Sequence, residues 1–161
     1  GRGYNVEFIF EEKMVQYIEE PIINGEGTFY PVLLKKDCEY SEEGTHMHHC
    51  VGGYAEKDTS IIVSLRMKDK IGKDRVTCEF NTFDKTCIQS RHFCNAAPPD
   101  HFNLALSILK DKIKNCKYSI KSKEKIRSPL KFKDGEILST PDMSTFDRLM
   151  MEINNLGPNP F

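Results

Sequence analysis

Several things are missing from this chain. No apolar run approaches the length of about 20 residues that a membrane span requires, and the opening residues lack the pattern of a signal peptide. No membrane association is therefore expected. No CxxC pair occurs among the six cysteines at positions 38, 50, 78, 87, 94 and 116, which excludes the usual zinc-finger and thioredoxin-type motifs. There is no internal repeat and no low-complexity tract. A net charge of −1 gives no overall attraction to nucleic acid.

What remains is a globular composition, 39% hydrophobic and 29% charged over 161 residues. That length suits a single domain with one core, 1–161. Several cysteines sit in apolar stretches, where a free thiol behaves as a small hydrophobe; a reducing, cytoplasmic setting is expected. Gly1 stands where an initiating Met would be, which fits a processed virion component and a trimmed chain equally.

Periodicity indicates an α+β fold. Tyr4–Phe10 alternates like a strand, Met14, Tyr17 and Ile18 space like a short helix, and Pro21 with Gly25-Glu26-Gly27 interrupts the order. Phe29–Leu34 is a further apolar run with strand character. Ser60–Met67, Arg75–Phe80 and Thr86–Arg91 alternate with period two, and links too short for crossovers join them into an antiparallel meander. From Pro98-Pro99-Asp100 onward, Phe102, Ala105, Leu106, Leu109, Ile113 and Cys116 form one apolar stripe, with Asp100 as the expected cap. The expected architecture is a sheet of three to five strands packed on this helix (about 100–116). A second short helix near 45–55, opened by Ser41-Glu42-Glu43, would lie at an edge or end.

Charge is uneven toward the C-terminus. Lys110 to Lys133 holds ten Lys/Arg against Asp111 and Glu124, and the stretch from Asp134 onward holds five acids and one base, Arg148. Segment 117–161 reads as an irregular extension, basic then acidic, with a last short helix expected over 145–153. The basic part suits phosphate neutralisation or a solvated surface.

Three clusters have chemical potential. In the first, His46, His48, His49 and Cys50 fall within five positions; imidazole and thiolate can ligate zinc or serve as base and nucleophile. In the second, alternation places Ser64 and Arg66, Thr77 and Glu79, and Gln89 and Arg91 on a polar sheet face. Such a face is either wetted decoration or a floor that holds phosphate on arginine and positions a proton-transfer group at Glu79. In the third, His92 and Cys94 could join Cys50 and His46 or His48 in a zinc site, though nothing in the sequence brings the segments together; no cofactor is expected.

Glu42-Glu43-Gly44 with His49-Cys50-Val51 and Tyr54, then Ile62–Leu65 followed by Arg66, Thr77-Cys78-Glu79-Phe80, Ile88-Gln89-Ser90-Arg91 and Asn95, resembles the PcfJ-like family over about residues 30–115. The resemblance implies a protein of conjugative plasmids or bacteriophages, located in the bacterial cytoplasm or the virion. The family's recurring polar positions match Arg66, Thr77, Glu79, Gln89 and Asn95. A glycine that relatives commonly carry after the Gln is absent; His92-Phe93-Cys94 stands there before Asn95. On these grounds His49, Arg66, Glu79 and Gln89 are the expected catalytic residues, with His48, Thr77, Arg91 and Asn95 binding a phosphate-containing or nucleic-acid substrate for phosphodiester cleavage. The alternative is a non-enzymatic structural or accessory protein that meets other phage or conjugation proteins.

Overall fold

The computed structural model describes residues 4–49, 51–52, 59–118 and 120–127. Its centre is a five-stranded antiparallel sheet in the order β2-β3-β4-β5-β6, comprising β2 (Ile22–Asn24), β3 (Gly27–Leu33), β4 (Ser60–Met67), β5 (Arg75–Asn81) and β6 (Cys87–Arg91). Chain order therefore equals spatial order, as short links between strands require. The expected three-strand meander is β4-β5-β6, and β2-β3 extend it through a hairpin at Gly25-Glu26. The glycines there close a turn, not a break. Strand β1 (Tyr4–Phe10) pairs separately with β7 (Ile120–Arg127).

One face of the sheet is apolar. Phe29 and Leu33 of β3, Ile61, Val63 and Leu65 of β4, and Val76, Cys78 and Phe80 of β5 are all buried. Helix α3 (Asn103–Lys114) brings Ala105, Leu106, Leu109 and Ile113, spaced as one helical stripe, and α1 (Glu12–Ile18) adds Met14 and Ile18. Phe29 and Phe102 meet edge to face at 5.2 Å. Each such side chain stabilises the fold by about 1.5–3 kcal/mol relative to exposure. A 3-10 turn at Asp100–Phe102 precedes α3, and no side-chain cap bond forms at either start, so the expected cap at Asp100 is not made.

The second helix differs from its expected place. Helix α2 spans Asp37–Met47, not 45–55, and ends where His48 turns left-handed (φ 54°, ψ 51°). Glu39 fixes its start by accepting the N–H groups of Lys35 and Lys36, both at 2.8 Å. Glu42 and Glu43, read from sequence as helix-opening acids, are mid-helix. The helix does not sit at an edge: it lies over the polar face of the sheet, where Glu43 is fully buried. Gly44 allows the chain to return over the helix, since a Cβ there would stand 2.9 Å from the Gly52 nitrogen.

Two further corrections concern strands. Residues 120–127 are not irregular, because β7 pairs with β1 along its whole length. In β6, the register passes from Glu79↔Gln89 to Phe80↔Cys87, leaving Ile88 as the extra residue of a bulge. The bulge sends Cys87 to the apolar side, where it packs against the core, instead of to the side of Gln89 and Arg91. The 145–153 helix, Cys50 and Tyr54 lie outside the described residues. Among those described, no helix is long and apolar enough to cross a membrane.

Candidate functional site

Antiparallel register builds the site. Ser64 lies opposite Thr77, Arg66 opposite Arg75, Glu79 opposite Gln89, and Thr77 opposite Arg91. Two like charges facing each other across a strand pair are unfavourable alone. Glu43 of α2 compensates. Its Oε1 accepts from Arg75 Nη1 at 2.6 Å and Arg66 Nη2 at 3.2 Å, and its Oε2 accepts from Thr77 Oγ1 at 2.6 Å. Glu42 adds a second carboxylate 3.0 Å from Arg75. Other guanidinium donors reach Ser64 Oγ and the carbonyls of Lys70 and Gly72. Burial alone would raise the Glu43 pKa; hydrogen bonds from Thr77, Ser64 and Arg75, with the charge of Arg75, outweigh it and hold the carboxyl below its ordinary range.

This network settles the state of His49. Thr77 has one proton and gives it to Glu43, so its oxygen accepts from His49 Nε2, 3.1 Å away. Nε2 therefore carries the hydrogen. Nδ1 is left as the unprotonated nitrogen and receives a long contact from the Val51 N–H at 3.4 Å. Burial lowers the pKa of His49 from its ordinary value, with the hydrogen bonding and Glu43 opposing, so the ring is neutral near neutral pH.

Beside it lies a cavity of about 170 Å³ lined by His49, Val51, Ile62, Thr77, Glu79, Gln89, Arg91 and Asn95. Glu79 is nearly fully buried; Ser60 Oγ donates to its Oε2, and Gln89 Nε2 donates to its Oε1 at 2.8 Å. Gln89 Oε1 in turn faces Arg91 Nε at 3.5 Å. The chain Ser60–Glu79–Gln89 thus orients the group beside an exposed guanidinium. Asn95 sits on a loop closed by the His92 N–H bonded to the Ala96 carbonyl at 2.8 Å. Cys94 (φ 55°) and Asn95 (φ 62°) both take the left-handed conformation there, at a cost of about 1–2 kcal/mol for Cys94, whereas Asn tolerates it. That is the conformation the missing glycine would favour; the backbone makes the tight turn without it.

Of the eight residues singled out from the sequence, six line this cavity: His49, Thr77, Glu79, Gln89, Arg91 and Asn95. Arg66 does not, being locked under α2. His48 does not either; it is exposed, with its ring 4.6 Å from Phe93. The zinc candidates are dispersed: His46 bonds the Lys73 carbonyl, His92 bonds the Arg75 carbonyl, and Cys94 is exposed. Among the described residues no group of three His, Cys, Asp or Glu is placed to hold a metal ion. Sequence reading missed Glu43, Arg75 and Ser60. Alternation placed Arg66 and Arg75 on one face, but neither their pairing across β4 and β5 nor the buried carboxylate it demands is visible in it.

The fold and site together define an α+β protein in which a helix clamps a buried carboxylate onto two sheet arginines beside a small polar cavity. The chain belongs to the PcfJ-like family: the model of the PcfJ-like protein matches residues 11–105, more than half the chain and every cavity residue. The match starts upstream of the 30–115 resemblance and takes in α1 and the β2-β3 hairpin. No curated protein and no solved structure matches the chain.

Proposed function

We propose that the cavity is a phosphate-directed active site and that its reaction is phosphodiester cleavage. One observation carries this reading: a neutral histidine, held as the Nε2–H tautomer by Thr77 and Glu43, shares a cavity of about 170 Å³ with an oriented arginine. Nδ1 of His49 is the base that takes a proton from an attacking water or hydroxyl. The nucleophile's oxygen bonds to phosphorus, the bond to the leaving oxygen breaks, and the same proton passes to that oxygen. Arg91 and Asn95 meet the charge that develops on the phosphoryl oxygens. The size admits one phosphate group with part of its substituents, less than the 300–1,000 Å³ common for whole small ligands.

Hydrolysis of bis(p-nitrophenyl) phosphate tests this. His49→Asn should lower the rate about 10²–10⁴-fold, the usual contribution of a general base. No turnover by the wild type, or undiminished turnover by the variant, would rule the reading out. A second reading, a non-enzymatic accessory of a conjugation complex or virion, draws support from the other half of the face, where Glu43, Arg66 and Arg75 are consumed by internal bonds. It predicts that the cavity variants leave function intact. Under both readings the protein acts for a plasmid or phage, in the bacterial cytoplasm or the virion, as the resemblance implies.

A further inference from the structure

Two residues of the cavity also face a second hollow. Gln89 and Arg91 also line an open groove of about 610 Å³ between β6 and α3, where Asn103, Ser107, Lys110 and Asp111 form the opposite wall. Arg91 and Lys110 outweigh Asp111, so the groove has a net positive charge. Close to the cavity in the chain stand two rings in contact, His48 and Phe93, 4.6 Å apart and tilted by 42°. Phe93 is 45% exposed, and Ile88 in the groove is 51% exposed. His48 adjoins His49, and Phe93 is two residues from Asn95, so the ring pair borders the residues that line the cavity.

Resting on the reading of the cavity as phosphate-directed, we infer that the substrate is a single-stranded nucleic acid: its backbone runs through the β6–α3 groove past Lys110 and Arg91, and one base stacks on the Phe93–His48 pair. A cationic track beside an exposed aromatic ring is what binds single strands with little sequence preference. A duplex keeps its bases stacked and its width outside so small a cavity, and cannot offer a base face to Phe93. A protein partner would need a contiguous apolar centre, whereas Ile88 and Phe93 are separated by Gln89, Arg91 and Asn95. The bulge at Ile88 also interrupts the ladder that an added strand would continue.

The test uses the full chain and fluorescence anisotropy with a labelled ten-nucleotide oligo(dT) and a ten-base-pair duplex. The single strand should bind at least tenfold more tightly. Phe93→Ala should weaken it about tenfold, within the range of one lost base stack. Lys110→Ala should reduce the slope of log K against log salt by about 0.7, the value for one single-strand phosphate contact. Equal binding of duplex and single strand, or affinity and salt slope unmoved by both variants, would overturn the inference. Wild-type turnover of bis(p-nitrophenyl) phosphate without oligonucleotide binding removes the groove path and keeps the active site. Phe93- and Lys110-dependent binding without cleavage of any ester does the reverse.

Discussion

Arg66 and Arg91 project from the same face of one sheet, two strands apart, and have opposite circumstances. Arg66 is 9% exposed and lies beneath α2, with its donors on Glu43, Ser64 and the Lys70 carbonyl. Arg91 is exposed at a cavity mouth, where its Nε faces Gln89 Oε1 at 3.5 Å. The strand pattern is the same for both. What differs is the element above: Glu43 of α2 meets Arg66, Arg75 and Thr77 on β4 and β5, whereas among the described residues no bond from α2 reaches Arg91 on the bordering strand β6. One polar face therefore has a closed half that holds the fold together and an open half that offers chemistry. Thr77 belongs to both.

The contrast can be broken most severely at Glu43. Glu43→Ala leaves two guanidinium groups buried without their carboxylate, and should destabilise the protein by about 3–5 kcal/mol in urea denaturation. A loss under 1 kcal/mol would mean that the closed half is not a structural clamp. Thr77→Val, at the shared position, should cost about 1–3 kcal/mol, because it strands Glu43 Oε2 and the Nε2–H of His49 without their partner. The same variant should lose the tautomer preference, read as a change in the ¹⁵N shifts of the His49 ring. Unchanged shifts would separate the two halves.

Acid titration sharpens the comparison further. Both His49 and Glu43 have depressed folded pKa values, so the unfolded chain binds the extra proton in each case, and stability is lost as pH falls. The loss begins near the ordinary histidine value of 6.5 through His49, and deepens below the ordinary glutamate value of 4.5 through Glu43. His49→Gln should abolish the first phase and keep the second, as followed by melting temperature against pH. At the far end of the scale, Arg91→Met should change stability by no more than about 0.5 kcal/mol, the range of ordinary surface substitutions. A loss comparable to that of Glu43→Ala would show that Arg91 is as structural as Arg66.

Much of this was legible beforehand. The period-two pattern of Ser60–Met67 and Arg75–Phe80 gave their faces and, to within one residue, their boundaries, and the α3 stripe gave its buried side, because both are local consequences of backbone geometry. Alternation says which side a residue takes, but not what covers that side. Arg66 was thus expected at the substrate although α2 encloses it, and Glu43 went unnoticed as a helix-opening acid. Strand β7 was hidden by charge: Lys121, Lys123, Lys125 and Arg127 alternate, yet a basic run resembles a solvated loop until β1 is there to pair with it. Strict period two over Thr86–Arg91 would put Cys87 on the face of Gln89 and Arg91, but a bulge at Ile88 costs the pattern one residue, and no local signal marks that residue as extra.

The bulge has a consequence for the molecule among its neighbours. Strand β6 borders the sheet, and among the described residues no further strand pairs with it. An unpaired border of this kind is a template on which other copies can assemble into aggregates. A five-residue strand, kinked at Ile88 and ending on a charged Arg91, makes a poor template. The kink that aims Gln89 and Arg91 at the cavity is therefore also a safeguard for solubility. Straightening it by deleting Ile88 should expose the chain to self-association before any question of catalysis arises.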